Sequence, residues 1–528
     1  MKKFLFNLLI LISALAVNAK NIDGISYSLN STDKKAQVKG FAEGVSKSKL
    51  VIPDKVTSGG VTYKVTSIAK EAFMGADGLK SVEIGDYVET IGSGAFYASS
   101  VKTLVLGERV KIIGGSAFHD TNIESVVFPA SLQIIRKLAF RNCEKLRSVS
   151  FGGEKLTSIE SFAFSWCPLL ASFNMPNSVT SLGESVFEDC YGLTKVSISE
   201  KLTVIPESAF CGCPIANLTI PASVTAIGKS AFFKCATPHI YIPGSVKSIG
   251  DWAFENSTCQ SVHLNEGIAS IGEYAFYETT QLKAVSIPSS VTSIGMRAFM
   301  RSAVENVQLS GNVKVIPEGL FYEGNLKSLE IPQGVTEIGE WAFRMNPNLT
   351  DVTIAGSVKT IGKEAFDHCN IDRLLLGEGI EVIGNGAFYG LEVENLTLPK
   401  SVKSIGQYAF NNNVFNEVRP QNSVPCQLDE EGFSSWAYSD SRLVVPDGSL
   451  EAYRTAPGWR QFANIETVSG MSGIEDVVEA SAVEPDDESV YYDMSGARTF
   501  DPESGKMYIK VDKTSKKRRV VVRRHHAR

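Results

Sequence analysis

The sequence predicts a β-rich repeat solenoid with short helical turns, closed at each end and followed by a small C-terminal β module. Three observations predict it. A phenylalanine recurs every 22 to 24 residues, beginning Phe73, Phe96, Phe118 and running on to Phe388 and Phe410, with Phe433 continuing the series more weakly. The spacing of apolar residues changes within each of these units. Atypical segments flank the series on both sides. A supersecondary unit repeated at a fixed short period buries its apolar face only by stacking on its neighbours, so one array can absorb most of a long chain.

The first element is a leader, residues 1–19. Lys2 and Lys3 precede an apolar run from Phe4 to Val17, and Val17-Asn18-Ala19 places small residues where signal peptidase cuts. This reads as a secretory signal peptide cleaved after Ala19, and it implies an exported protein at the cell surface or in the medium. No cysteine stands near the cut to carry a lipid, and no later run is apolar enough to span a bilayer. Residues 20–64 follow as an N-terminal cap, in which Gly24–Leu29 and Gly60–Val65 alternate like hairpin strands.

Residues 65–419 carry the repeats. The clearest copy reads Ser290-Val291-Thr292-Ser293-Ile294-Gly295 and then Ala298-Phe299, while the copy before it supplies Leu282, Val285, Ile287 and Pro288. In A-F-x-x-C-x-x-L the apolar positions fall three and four apart, as in a single helical turn. In V-x-I-P they alternate, as in a half-buried strand that proline ends. The Gly of I-G supplies a bend between the two. Strands about 4.8 Å apart would make some seventeen coils about 80 Å long.

This pattern resembles the BspA-like leucine-rich-repeat family, whose members repeat V-T-S-I-G-x-x-A-F and L-x-S-V-x-I-P; the likeness spans about Val65 to Val418. The resemblance implies a right-handed superhelix. It also implies a surface or secreted protein of the kind found in Bacteroidota, several of which are adhesins for host proteins or other microbes.

Residues 420–468 leave the repeat but keep Leu443, Tyr453, Trp459, Phe462 and Ile465, and read as a C-terminal cap. Residues 469–489 turn acidic and lose their aromatics, as in a linker. Residues 490–528 alternate again at Val490–Gly496, Lys506–Val511 and Arg519–Arg523. They resemble the short β-rich secretion or sorting domains of Bacteroidota proteins, departing from them at Lys506-Met507 and in a basic end.

A formal charge of -6 over 528 residues argues against a nucleic-acid binder, which would normally show a basic face. Catalytic signatures are missing: no H-E-x-x-H, no G-x-S-x-G and no phosphate loop occurs, and nothing calls for a metal or cofactor. Six of the nine cysteines (Cys143, Cys167, Cys190, Cys213, Cys235 and Cys369) stand three residues after a repeat Phe, where other coils have Ser, Thr or Asn. They read as a buried thiol ladder, because in-register Cβ atoms about 4.8 Å apart lie beyond disulfide range. Cys211, Cys259 and Cys426 fall outside that slot.

The candidate contact residues are those that packing does not dictate. The central outward position of each strand is small and polar in most coils, but Tyr241 and His263 break the row, with His239 beside them. A second column, two residues before the repeat Phe, holds Trp252, Tyr274, Trp341 and Tyr408. Amphipathic aromatics suit protein or glycan partners; packing on adjacent coils would account for them equally. The leading expectation is a non-enzymatic, adhesin-like binding protein whose partners are host or microbial surface proteins or glycans. A structural or nutrient-capture component of the envelope is the alternative, and an enzyme of unknown reaction the third.

Overall fold

The computed structural model describes residues 19–469 and four strands beyond them, Ser489–Asp493, Arg498–Thr499, Met507–Asp512 and Arg518–Val522. The expected leader, apart from Ala19, and nearly all of the expected acidic linker lie outside the described residues. Among the described residues no helix is long and apolar enough to cross a membrane.

Most coils contribute two strands to two separate sets of ladders; the coil around Leu218 contributes only the shorter one. The longer one comes from V-x-I-P. His239–Ile242 pairs in parallel with Ser261–Leu264, so that Ile240 meets Val262 and Tyr241 meets His263. Because alternate side chains point to opposite faces, Ile240 and Ile242 are buried while His239 and Tyr241 face out. The shorter strand comes from the S-I pair before the glycine. Ser248–Ile249 pairs with Ser270–Ile271, and the same two-residue pairing recurs along the array, as in Thr90–Ile91 on Ile112–Ile113, with interruptions between Leu182 and Val204 and between Ile294 and Val315.

The glycine that follows stands there because neighbouring coils approach closely. A Cβ on Gly250 would lie 2.6 Å from the Gly228 carbonyl carbon, and one on Gly272 2.6 Å from that of Gly250. Gly339, Gly362 and Gly384 form the same backbone-to-backbone column further on. The sequence suggested a bend; the structure assigns the residue to close approach, which no side chain permits.

The A-F segment is not helical in any coil. It forms consecutive turns in which the residues two before and two after the Phe take positive φ, for example Trp252 at 54° and Asn256 at 55° around Phe254. The reason lies in the next coil. An α-helix would direct every N–H along its own axis and leave the neighbouring coil unpaired. Here alternate N–H groups turn outward: Trp252, Phe254 and Asn256 donate to the carbonyls of Glu273, Ala275 and Tyr277, all at 2.8 Å. The intervening N–H groups of Ala253, Glu255 and Ser257 close turns onto Gly250, Trp252 and Phe254. A left-handed residue costs about 1 kcal/mol or more, and the inter-coil hydrogen bond offsets it. The coil thus has a third hydrogen-bonded ladder besides its two strands.

Inside, the repeat phenylalanines stack from Phe73 to Phe433 with centroids 5.1–6.1 Å apart and planes within 19° of parallel. In most coils the slot three residues after the Phe holds a polar or thiol side chain, against Ala76, Gly324 and Leu391 in three of them. In many coils that side chain donates to a Phe carbonyl: Cys190 Sγ to Phe164 O at 3.1 Å, Cys369 Sγ to Phe343 O at 3.1 Å, and Thr279 Oγ1 to its own coil's Phe276 O at 2.8 Å. Asn346 does more, donating to both Phe321 O (2.8 Å) and Phe343 O (2.7 Å) and accepting from Leu326 N–H (3.0 Å).

At the N-terminal end Ile25–Asn30 and Lys35–Phe41 form a hairpin, and Lys35–Phe41 joins the ladder by pairing with Val61–Ile68. The Phe41 ring meets Phe73 edge-on at 4.9 Å. The long-strand ladder already begins at Lys49–Ile52, inside the segment that reads as a cap. At the other end Arg442–Val445 and Asn464–Thr467 extend it. Two short helices, Ser435–Asp440 and Leu450–Thr455, interrupt those coils, and Tyr438, Trp459 and Phe462 cover the last stacked ring, Phe433. The four strands beyond residue 469 form an antiparallel sheet of their own, with Ser489–Asp493 between Arg498–Thr499 and Met507–Asp512, and Arg518–Val522 outermost.

Candidate functional site

Three faces run along the array, one for each ladder, and the predicted contact residues divide between two of them. On the long-strand face the structure brings Tyr241, His263 and His239 together. The Tyr241 and His263 rings stack at 5.3 Å and 9°, and His239 Nδ1 lies 2.8 Å from Ser261 Oγ. Parallel in-register pairing sets outward side chains of adjacent coils about one strand spacing apart, which is why two planar rings meet there. Tyr241 remains 57% exposed, so the stack adds surface without filling any internal space. The same row is apolar toward the N-terminal end, where Val127 is 69% exposed.

The turn face holds Trp252, Tyr274 and Trp341, all half-buried and all engaged within the molecule. Trp252 stacks on Tyr274 at 5.8 Å, with the Lys229 ammonium 4.8 Å from the Trp252 centroid. Arg297 donates to the Tyr274 hydroxyl at 2.6 Å and pairs with Glu318 at 2.5 Å. Trp341 stands apart, separated from Tyr274 in its column by Arg297 and Gly319, and donates from its indole N–H to Glu364 at 3.2 Å. These rings therefore tie neighbouring coils together through stacking and cation–π contact.

Sequence reasoning missed Trp436. It lies in the helix Ser435–Asp440, whose N-terminus Ser434 caps by accepting from Ala437 N–H at 3.2 Å. Ala437 and Tyr438 turn inward, which leaves Trp436 outward and 57% exposed. Together with Tyr389 and Tyr408 it lines a groove of about 720 Å³ between the turn face and the C-terminal cap. The only available signal was an aromatic within a Ser-flanked segment, outside the repeat and unconstrained by it.

All nine cysteines are free, and seven of them are buried, among them Cys259, which lies outside the repeat slot. Burial pushes the thiols of Cys259 and Cys369 up to about 11 and about 12. They are protonated at neutral pH and act as hydrogen-bonding core residues. Among the described residues no group of three His, Cys, Asp or Glu side chains is placed to hold a metal ion.

Comparison with known proteins is consistent with this architecture. The family model described as "BspA type Leucine rich repeat region (6 copies)" matches residues 41–120, 111–238, 225–350 and 345–436. A leucine-rich repeat protein from Bacteroides ovatus is similar in structure at a TM-score of 0.56 and 24% identity, covering 85% of this chain and 99% of that one. A leucine rich cell surface protein from Faecalibacterium prausnitzii aligns at a TM-score of 0.40 and 25% identity, over 69% of this chain and 93% of its own. The pneumococcal vaccine antigen PcpA aligns at 0.42 and 19%, over 85% and 97%. No curated protein matches the chain. With its repeat consensus, its stacked coils and a family match running from residue 41 to residue 436, the chain belongs to the BspA-type leucine-rich-repeat family.

Proposed function

We propose that this protein is an exported, surface-displayed binding protein, adhesin-like in action, that engages a protein or glycan partner along its long-strand face. The observation that carries the reading is the Tyr241–His263 stack with His239 at its side. It is an exposed aromatic cluster in a row that is otherwise mostly small and polar and holds no other ring, and it fills no internal space. Exposed amphipathic rings of this kind are the usual anchors of protein interfaces. Membership of a repeat family and a solvent-facing row of strands, such as His239–Ile242 on Ser261–Leu264, support an extended contact surface over a catalytic cleft.

The test is capture from arrays of matrix proteins, plasma proteins and bacterial surface proteins, run with the wild type and with a Tyr241→Ser/His263→Ser variant. At least one partner should be retained by the wild type and bound at least tenfold more weakly by the variant. Retention no better than that of an unrelated repeat protein, or equal retention by the variant, would overturn the proposal.

A further inference from the structure

We infer a second binding site, independent of the long-strand face, in the groove between the turn face and the C-terminal cap: a site for a neutral oligosaccharide. The reasoning is chemical. A pyranose ring offers an apolar C–H face and a rim of hydroxyls, so a site for it needs an exposed ring to stack on and planar donors and acceptors beside that ring. The groove supplies both. Trp436 is 57% and Tyr408 43% exposed, and neither ring stacks on another aromatic ring among the described residues. This separates them from Trp252 and Tyr274, whose faces are covered by each other and by Lys229 and Arg297.

Around these rings lie Asn411, Asn412, Glu430 and Glu431. Glu431 already accepts from Gln407 at 2.6 Å, Asn411 Oδ1 from the Asn412 N–H at 2.7 Å, and Glu430 faces Arg460 at 3.5 Å, which leaves two groups for a ligand. The Asn412 carboxamide and the Trp436 indole N–H make no hydrogen bond within the described residues, whereas Gln461 is committed to Glu430 O at 2.8 Å and so fixes the floor. The volume of about 720 Å³ falls in the range of small-ligand sites, about 300–1,000 Å³, and accommodates a short run of sugar rings. No lysine or arginine lines the groove, and Glu430, with Arg460 3.5 Å away, and Glu431 do, so the lining offers no cation to pair with a sialylated, sulfated or uronic-acid glycan.

The full-length protein is titrated with hexasaccharides of glucose (α- and β-linked), mannose, xylose and N-acetylglucosamine. Binding is followed by calorimetry and by tryptophan fluorescence. At least one neutral hexasaccharide should bind, with a change in tryptophan emission. Trp436→Ala should weaken that binding tenfold or more, and Asn412→Gly, which keeps the positive φ of that position, severalfold. Tyr241→Ser/His263→Ser should bind the sugar as the wild type does, so that failure of one site is distinguishable from failure of the other. Absence of binding to every neutral glycan overturns the inference. So do binding unaffected by Trp436→Ala, and displacement of the probe by a lysine-rich peptide that itself binds more tightly in the groove.

Discussion

Asn346→Leu puts the role of the slot after the repeat Phe to a direct test. The substitution keeps the volume and removes every polar atom from a side chain that is fully buried. Three backbone groups lose their partner. Leu326 N–H and Phe321 O have no other hydrogen bond, while Phe343 O keeps only the Cys369 thiol at 3.1 Å. A buried polar group left unpaired costs about 1–3 kcal/mol, so two complete losses and one partial loss come to about 3–6 kcal/mol. Repeat arrays lose stability coil by coil, so the cost should be local. The measurement is native-state hydrogen exchange at the Leu326 amide and its neighbours, with urea unfolding alongside. Protection around residues 321–346 should fall by at least a hundredfold, while coils near Phe118 keep theirs. Asn346→Ser, which retains a donor, should lie between the two. A loss below about 1 kcal/mol, or equal losses for Leu and Ser, would refute the idea that the slot exists to satisfy those carbonyls.

Further outcomes follow from other positions. Gly250→Ala would drive a methyl group to 2.6 Å from the Gly228 backbone, and should cost about 1–3 kcal/mol in urea unfolding; a neutral result would remove close approach as the reason for that glycine. A thiol reagent at pH 8 should titrate Cys211 and Cys426 slowly and the seven buried cysteines only after unfolding, since burial raises even Cys211 to about 11. Because the folded pKa values of Cys259 and Cys369 are raised, their contribution to stability is complete below the unfolded value near 9 and declines as pH rises toward 11–12. At pH 10 the decline is about 1 kcal/mol per thiol. Thermal unfolding of a Cys259→Ser/Cys369→Ser variant should therefore vary less between pH 8 and pH 10 than that of the wild type, and equal slopes would count against this. Tyr241→Ser should leave the unfolding midpoint within about 0.5 kcal/mol of wild type; a larger drop would make the ring structural.

The two strand ladders and the stacked core were legible because alternation and period are properties of local sequence. Ile240 and Ile242 announce their direction without reference to any neighbour. The turns were not legible in the same way. Trp252 and Tyr274 take positive φ, which bulky side chains avoid on their own. The conformation is imposed by pairing with a coil 22 residues away, and the three-and-four spacing of the apolar residues imitates a helix. The glycine after Ile249 was found but misread, because a bend and a close approach demand the same residue. Among the site residues Tyr241 stood out against a monotonous row. Trp436 did not, because its exposure depends on which side of a one-and-a-half-turn helix meets Phe433.

The turn ladder has an electrical consequence. In coil after coil its outward N–H groups donate toward the C-terminal side, from Glu71 to Ser93 at the start through Phe232 to Ala253 and on to Phe410 and Gly432. The peptide dipoles on this face are therefore aligned head to tail along the array, whereas successive peptides of a β-strand oppose one another. Columns of aligned peptides about 3.5 D each give a macrodipole of the kind familiar in α-helices, with its positive pole where the last N–H groups are unpaired. That pole lies at the C-terminal cap. There Asp429 Oδ1 accepts from Glu431 N–H at 3.0 Å and the Tyr438 hydroxyl from Phe433 N–H at 3.4 Å, with Glu430 between them. Asp429, in the acidic run Asp429-Glu430-Glu431, thus does for the turn face what an N-cap carboxylate does for a helix, so that shortening the array at its C-terminal end would have to move these charges with it.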